Sequence, residues 1–170
     1  MRARNREWLT PWEATPPRSL GPPISFATMV RGLRRQARRG QLLPFVVAYD
    51  GELAGQLTVG GIAYGSLCSA HIGYWVDERV AGRGVMPTAL ALAVDHCLLV
   101  LRLHRVEVNI RPENTASLRV VEKLGFREEG VRRAFLHIAG EWRDHRSFAL
   151  TAEDVPDGLL ERWRSTRPPD

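Results

Sequence analysis

The sequence Asp77-Glu78-Arg79-Val80-Ala81-Gly82-Arg83-Gly84-Val85-Met86-Pro87 joins a predicted strand, residues 70–76, to a long apolar helix. Gly82 and Gly84 permit a backbone with positive φ and so bring several N–H groups close to a ligand. The helix N-terminus adds partial positive charge, and Pro87 is tolerated in the first turn because an N–H there has no helical partner. The segment is therefore predicted to bind a phosphate group.

Glycines at alternate positions also occur where a strand simply ends in a turn, so Gly82 and Gly84 alone do not establish a binding site. Two other phosphate motifs do not fit the sequence. A dinucleotide fingerprint needs a third glycine and an acidic residue about twenty positions further on, and a P-loop needs Gly-Lys-Ser/Thr. Arg79 and Arg83 supply guanidinium groups suited to phosphate, so the full spacing Arg79-x-x-Gly82-x-Gly84 is the more specific signal.

A second informative stretch runs from Asn109 to Phe126. Pro112 ends a predicted strand, Asn114 is suited to cap the next helix, and Ser117 takes the third helical position. Ordinary helix capping accounts for Asn114 and Ser117. Their spacing alone therefore leaves open whether they also bind a ligand or take part in chemistry.

The remaining pattern mixes helices and strands. Helices are predicted at 4–9, 25–39, 87–101 and 114–124, and strands at 45–49, 52–59, 70–76, 105–110 and on both sides of the turn at Ala139-Gly140. The helix at 25–39 is amphipathic, with arginines forming its outer surface. This order predicts an α/β domain of three layers, with a mixed sheet and helices packed on its faces.

The 170 residues are 44% hydrophobic, which fits one globular domain with a proper core. We assign that domain to residues 1–150. Residues 151–170 are expected to form a polar, partly mobile C-terminal tail, in which Leu159, Leu160 and Trp163 can form a short helix.

Several classes of protein are disfavoured. No apolar run approaches the eighteen or so residues of a membrane span, and the N-terminus leads into no signal-peptide core, so a soluble cytoplasmic protein is expected. Cys68 and Cys97 lie in apolar stretches with no second ligand at metal spacing, so no metal site is expected. The net charge of +5 suits a phosphorylated partner, but it equally suits mere solubility and does not by itself indicate nucleic acid.

These motifs resemble a known family. The spacing Arg79-x-x-Gly82-x-Gly84, between an aromatic strand and an apolar helix, resembles the acetyl-CoA pyrophosphate loop of the GNAT acetyltransferase superfamily. Asn114-x-x-Ser117 followed by Lys-Leu-Gly-Phe, and the hairpin from Arg127 to His145, resemble its RimJ/RimL-type branch of ribosomal-protein N-terminal acetyltransferases. The resemblance runs from Arg4 to Leu150. It implies the GNAT fold, with a mixed, mostly antiparallel sheet and helices on both faces, and an acetyl-CoA-dependent N-acetyltransferase.

The resemblance also implies roles for individual residues. Backbone N–H groups of the glycine turn would hold the pyrophosphate, and the strand ending at Val76 would pair with the pantetheine arm and polarise the acetyl carbonyl. Ser117 would protonate the departing thiolate. The implied cofactor-binding residues are Trp75, Val76, Arg79, Gly82, Arg83, Gly84, Val85, Asn114 and Ser117, and the implied acceptor-binding residues are Glu141, Trp142 and Asp144.

The general base is not evident from the resemblance. The acidic residue proposed as base in related enzymes has no counterpart, because the strand position is Asn109 and the hairpin position is Leu136. Glu107 is the second candidate catalytic residue, in addition to Ser117. The other candidates for the base are Glu141, His137 and Asp144.

A further departure concerns the N-terminus. The family usually begins with an extra strand before the helix that starts here at Arg4, and that strand has no counterpart in this sequence. Its absence would leave the predicted strand 45–49 at an unpaired edge of the sheet. An unpaired edge favours a homodimer or a rearranged N-terminus.

The acceptor amine must be neutral to attack a thioester. An α-amine has a pKa of about 7.7 to 8.0 and a lysine one of about 10.4, a gap of about 3.4 kcal/mol in deprotonation. The lack of an evident base therefore favours a protein N-terminus, and because neither cysteine adjoins an activating base, direct attack without a covalent enzyme intermediate is expected. The alternatives are a small amine such as an aminoglycoside or polyamine, and a non-catalytic module that binds RNA or the ribosome through residues 31–39.

Overall fold

A computed structural model describes residues 1–18, 21 and 24–166, and a six-stranded sheet is its centre. The strands lie in the order β1-β2-β3-β4-β6-β5, and every neighbouring pair is antiparallel except β3 and β4. The predicted mixed, mostly antiparallel sheet is confirmed. The strands are β1 (Leu42–Tyr49), β2 (Glu52–Ala63), β3 (Ser69–Val76), β4 (Arg105–Ile110), β5 (Arg127–Ile138) and β6 (Glu141–Thr151).

Five helices accompany the sheet, and α3 is the one at the centre of the core. Its apolar positions Leu90, Ala91 and Val94 are fully buried, and a π-helical turn, His96–Val100, extends it. The helix is apolar nearly all round, which is typical of a helix covered on most sides. The helices are α1 (Arg6–Leu9), α2 (Phe26–Arg38), α3 (Val85–Asp95), α4 (Thr115–Lys123) and α5 (Leu159–Ser165).

The sheet opens between β3 and β4. These strands pair through only three residue pairs, from Ser69 with Arg105 to His71 with Glu107. Beyond that point β3 stays paired with β2 as far as Val76, while β4 stays paired with β6 as far as Ile110. Because each strand is held by its own antiparallel partner, the two halves of the sheet separate and leave a wedge whose walls are strand edges.

The N-terminal segment closes one side of this wedge. The indole Nε1 of Trp8 donates to the carbonyl oxygen of Val76 at 3.1 Å, and the Glu78 amide donates to Asn5 Oδ1 at 3.0 Å. Further along, the Thr15 amide donates to the carbonyl oxygen of His137 at 2.8 Å. The segment therefore runs from the end of β3 to the β5–β6 hairpin.

Asp77 fixes the start of that segment. Its side chain is 2% exposed and accepts hydrogen bonds from the guanidinium groups of Arg4 and Arg79 and from the Arg79 amide. The bonds from Arg4 hold the pKa of this carboxyl well below its usual range, with Arg79 adding to the effect against the opposing effect of burial. Asp77 thus stays ionised and ties the N-terminus to the end of β3.

Helix α2 forms where the sequence predicts it, capped by Ser25, whose Oγ accepts from the Thr28 amide at 3.2 Å. None of its residues is buried, however, and Phe26 is 76% exposed. Among the described residues its main contact is β1, the edge strand of the sheet. The expected unpaired edge is therefore present, and dimerisation through it stays a prediction.

The short helix expected around Leu159, Leu160 and Trp163 is present as α5, but residues 151–166 do not form a polar tail that lies apart from the domain. Leu159 is fully buried and Trp163 is 9% exposed, and both belong to the main core. The carboxylate of Asp95 on α3 accepts from the Leu159 and Leu160 amides at 2.5 and 3.0 Å, so a side chain from another helix caps α5. The polar residues around Leu159 and Trp163 made the segment look polar as a whole, although its apolar residues share one face of the helix. Residues 167–170 of the expected tail lie outside the described residues.

Because Leu159 fills the core, we expect Leu159→Ala to lower the free energy of unfolding by about 2–5 kcal/mol. Urea denaturation followed by far-UV circular dichroism measures this change. Glu161→Ala, on the exposed side of the same helix, should change stability by no more than about 0.5 kcal/mol. A Leu159→Ala protein as stable as wild type would contradict the packing of α5 in the core.

Candidate active site

The wedge between β3 and β4 holds two adjoining cavities. The helix-side groove, about 410 Å³, runs beside α3 and α4, and the strand-side pocket, about 420 Å³, lies between the separated strand edges. The two are continuous because they share a set of lining residues. The shared residues are Leu9, Trp12, Tyr74, Trp75, Asn114 and Ser117.

The glycine turn forms one end of the helix-side groove. Gly82 and Gly84 have φ of 80° and 81°, in the left-handed region that the sequence predicted for them. Gly84 is the N-cap of α3, and no side chain caps the helix there. The first N–H groups of α3 are therefore the kind of donors that bind a phosphate at a helix N-terminus.

The predicted arginines of this turn lie outside the groove. Arg79 is bonded to the Asp77 carboxylate at 3.3 and 3.4 Å, and Arg83 lines a separate apolar cavity of about 690 Å³ on the other side of the turn. Val85 lines the same 690 Å³ cavity as Arg83 and is buried in the core. The predicted phosphate contacts of Arg79, Arg83 and Val85 therefore stay predictions that this geometry does not support.

Two cations that the sequence analysis did not single out line the helix-side groove. Arg119 and Lys123 project from α4, and among the described residues neither has an ion-pair partner. They lie four residues apart and so share one face of the helix. Their spacing on the helix that starts at Asn114 was the available signal, but it also fits a solvated helix surface.

Asn114 and Ser117 both lie at the junction of groove and pocket, and the roles that the resemblance implies for them stay predictions. Asn114 Oδ1 accepts from the Ser117 amide at 3.1 Å, so the capping interpretation is confirmed. The Tyr74 hydroxyl donates to the Ser117 carbonyl oxygen at 3.4 Å, and burial raises the pKa of Tyr74, keeping that hydroxyl protonated. The start of α4 is thereby held against β3.

The free edge of β3 forms the wall that faces β4. Gly73, Tyr74 and Trp75 line the strand-side pocket, and none of them pairs with β4. Trp75 lines both cavities, and its buried indole N–H has no hydrogen-bond partner among the described residues. Val76 lines the groove, but its carbonyl oxygen is taken by Trp8. Free backbone donors and acceptors are therefore available to a bound extended chain.

The candidate base Glu107 does not line either cavity. It lies on β4 two residues before Asn109, and its carboxylate accepts from Arg105 Nε at 2.9 Å and from Arg132 Nη2 at 2.6 Å. Two residues along a strand is about 7 Å, so Glu107 lies towards the closed end of the wedge. Its proposed catalytic role stays a prediction without support from this position.

The predicted acceptor residues of the hairpin also lie outside both cavities. Glu141 is paired with Arg143 at 2.9 Å, Trp142 is 57% exposed, and Asp144 Oδ1 accepts from the Ala134 amide at 2.7 Å. Their contact with an acceptor is not tested by these positions and stays a prediction.

The sequence analysis missed His145. This residue is on β6, is 3% exposed and lines the strand-side pocket together with Ser117. Its Nδ1 lies 3.1 Å from the carbonyl oxygen of Arg143. The signal available in the sequence was the alternation of β6, which places His145 on the same side as Ser147, the residue paired with Asn109.

The charge lining the strand-side pocket is positive. Arg2 and Arg111 line it, and Glu13 is the one acidic residue among the described lining residues. Arg2 Nη2 is paired with Glu13 at 2.7 Å, while Arg111 Nε is paired at 3.1 Å with Glu113, which lies outside the lining. The pocket therefore favours a neutral or singly charged group over a polycation.

Within residues 1–18, 21 and 24–166, no group of three or more His, Cys, Asp or Glu side chains is placed to hold a metal ion. None of the helices in that part of the chain is long and apolar enough to cross a bilayer.

Comparison with known proteins agrees with this geometry. Residues 3–127 match the acetyltransferase (GNAT) domain family. The chain is 40% identical over 107 residues to the probable N-acetyltransferase YjcK of Bacillus subtilis, a match that covers 63% of this chain and 59% of that protein. It is 29% identical over 158 residues to the [ribosomal protein uS5]-alanine N-acetyltransferase of Escherichia coli, covering 92% of this chain and 81% of the relative.

A solved structure is similar over almost the whole chain. Mycobacterium smegmatis RimJ in complex with CoA-disulfide superposes with a TM-score of 0.90 and 42% identity, covering 96% of this chain and 80% of the other. The family match, the shared fold and the glycine turn at the N-terminus of α3 all indicate the same kind of enzyme. The chain belongs to the GNAT acetyltransferase family and is an acetyl-CoA-dependent N-acetyltransferase.

Proposed function

We propose that this enzyme acetylates the N-terminal α-amine of a protein, with a ribosomal protein as the acceptor. The observation that carries the proposal is the positive lining of the strand-side pocket, at the junction with the groove that fits acetyl-CoA. The likeness to the E. coli uS5-alanine N-acetyltransferase and to M. smegmatis RimJ supports the same acceptor class.

The two cavities divide the substrates between them. Bound acetyl-CoA supplies the activated acetyl group. The N–H groups at the start of α3 accommodate its phosphates, with Arg119 and Lys123 contributing charge, and the free edge of β3 holds its extended arm. Asn114 and Ser117 lie where the groove meets the pocket, so they are among the side chains placed beside the transfer.

Charge selects the acceptor. Arg2 and Arg111 repel a polyamine or an aminoglycoside, which carries several positive charges, more strongly than they repel a single α-amine. The α-amine is also neutral in a much larger fraction at pH 7 than a lysine side chain. A small-molecule amine with one basic nitrogen remains the alternative that this pocket accepts.

The cysteines support direct attack of the amine on the thioester. Cys97 is fully buried, and burial raises the pKa of its thiol to about 12, so it is not a thiolate nucleophile. Cys68 directly precedes β3, and it lines neither the groove nor the pocket. A covalent acyl-cysteine on this chain is therefore not part of the proposal.

We expect Gly84→Glu to abolish measurable acetyl-CoA binding, because a side chain is strained at a φ of 81° and the added carboxylate repels the phosphates. Isothermal titration calorimetry with acetyl-CoA measures the loss. Gly32→Glu is the matched control, since it adds the same charge on α2 with nothing within 4 Å of its Cβ. Equal affinity in the Gly84→Glu protein would contradict phosphate binding at this turn.

We expect Ser117→Ala to lower kcat by up to about 10²–10⁴, the range typical of a general acid, while acetyl-CoA affinity stays unchanged. Steady-state release of the CoA thiol measures kcat. Thr115→Ala, at an exposed position of the same helix, should leave kcat unchanged. If Ser117→Ala turns over at the wild-type rate, Ser117 has no role as a general acid.

The acceptor class is tested with three synthetic peptides that begin with alanine. One has a free α-amine and no lysine, one has a blocked α-amine and an internal lysine, and one has both amines free. Mass spectrometry should find a single acetyl group, on the α-amine, in the first and third peptides only. Acetylated lysine in the second peptide, or faster acetylation of spermidine than of any peptide, would contradict the proposed acceptor.

A further inference from the structure

The geometry points to Nε2 of His145 as the atom that takes the proton from the attacking amine. This inference rests on the proposed direct attack on the thioester, and it supplies the general base that the sequence did not reveal. It assigns a catalytic role to the last residue of the hairpin that resembles the RimJ/RimL-type branch, a position to which that resemblance gave no role.

The hydrogen bonding of His145 fixes its tautomer. Nδ1 lies 3.1 Å from the carbonyl oxygen of Arg143, and a carbonyl oxygen only accepts, so Nδ1 carries the proton of the neutral ring. Nε2 is then left with a lone pair. Within the described part of the chain no other group is hydrogen bonded to His145, so that lone pair is available to a substrate.

The ring is also held in place. The Phe135 ring meets it edge-on, with 5.4 Å between the ring centroids, and the residue is 3% exposed. Two residues further along β6, Ser147 Oγ donates to Asn109 Oδ1 at 2.6 Å and ties β6 to β4 on that side of the sheet. His145 therefore lines the pocket from a rigid strand rather than from a loop.

The charges around His145 keep it neutral. Burial lowers its pKa below 6.5 and the Arg111 guanidinium adds to this, while the bond to Arg143 and the carboxylates of Glu113 and Asp144 oppose it. From β5, Arg132 is its cross-strand partner and adds a further positive charge. A neutral imidazole at pH 7 is a base ready to accept a proton.

No acidic residue is better placed. Glu13 is the one carboxylate in the lining, and it is paired with Arg2 at 2.7 Å. Glu107 is held by two arginines, and Asp144 accepts from the Ala134 amide. Each of these bonds occupies a carboxylate oxygen that would otherwise be free to accept the proton of the amine.

The chemical step balances without a further reactant. The amine nitrogen bonds to the acetyl carbon, a proton of that nitrogen passes to His145 Nε2, and the carbon–sulfur bond breaks. The departing thiolate takes a proton from the Ser117 hydroxyl, which the imidazolium restores through water. The products are the amide and the CoA thiol, with both side chains back in their starting states.

The test compares full-length wild type with His145→Asn, whose side-chain amide can still donate to the Arg143 carbonyl but offers no basic nitrogen. We expect kcat/KM to fall by about 10²–10⁴ while the calorimetric affinity for acetyl-CoA is unchanged. In wild type kcat falls as the pH drops through the His145 pKa, because protonated Nε2 cannot accept. This limb lies below the one set by the α-amine's own pKa of about 7.7 to 8.0, and it alone should vanish in the variant. His104→Asn, exposed and paired with Glu153, is the matched control and should behave as wild type.

Two readouts separate a base from a structural residue. Free imidazole should restore part of the activity of His145→Ala, and Glu13→Gln should keep the acid limb of wild type. Unchanged kcat/KM in His145→Asn, or persistence there of the limb at the His145 pKa, would overturn the proposal.

A third readout does not depend on the acceptor. Long-range ¹H–¹⁵N NMR of the wild-type chain should report the Nδ1–H tautomer of His145, and a proton on Nε2 at pH 7.5 would also overturn the proposal. Kinetics are run with the alanine-start peptide and with spermidine. If the wild-type enzyme acetylated spermidine and not the peptide, the proposed protein acceptor would be wrong. The role of His145 would still be tested, with spermidine as the substrate.

Discussion

The active site depends on the failure of β3 and β4 to stay paired. They share three residue pairs and then part, because β3 is held along its length by β2 and β4 by β6. A fully paired sheet would have no free strand edge at its centre. The opening gives the chain unpaired backbone at Gly73–Trp75, a wall for the pocket, and a gap through which the groove on the helix side meets the pocket on the strand side.

The N-terminal segment turns this opening into an enclosed site. Asp77, at the end of β3, holds Arg4, and Trp8 is bonded to the last carbonyl of the same strand. The segment then reaches the β5–β6 hairpin through Thr15. Leu9, Trp12 and Glu13 thereby become pocket residues although they are distant in sequence from β3 and β4. The strand-side pocket is therefore complete only when the first fifteen residues are in place.

Backbone groups and side chains take different tasks in this molecule. The glycine turn offers N–H donors, and its nearby arginines serve other purposes, Arg79 as a partner of buried Asp77. The cationic side chains that line the helix-side groove are instead Arg119 and Lys123 of α4. A guanidinium close to the glycine turn in sequence therefore need not line the groove beside that turn, as Arg83 shows.

The sequence alone determined the elements, the mixed sheet, the glycine turn with its positive φ and the placement of Asn114 and Ser117, because these follow from local periodicity, turn chemistry and helix capping. It did not determine which side chains share the pocket. Glu107 and His145 both lie on strands beside polar neighbours, yet one is held by two arginines and the other is buried at the cavity wall. Likewise Leu159 belongs to the core only because Asp95 and α3 lie beside it. Burial and pairing between distant segments are set by the relative placement of whole elements, which only the tertiary structure decides.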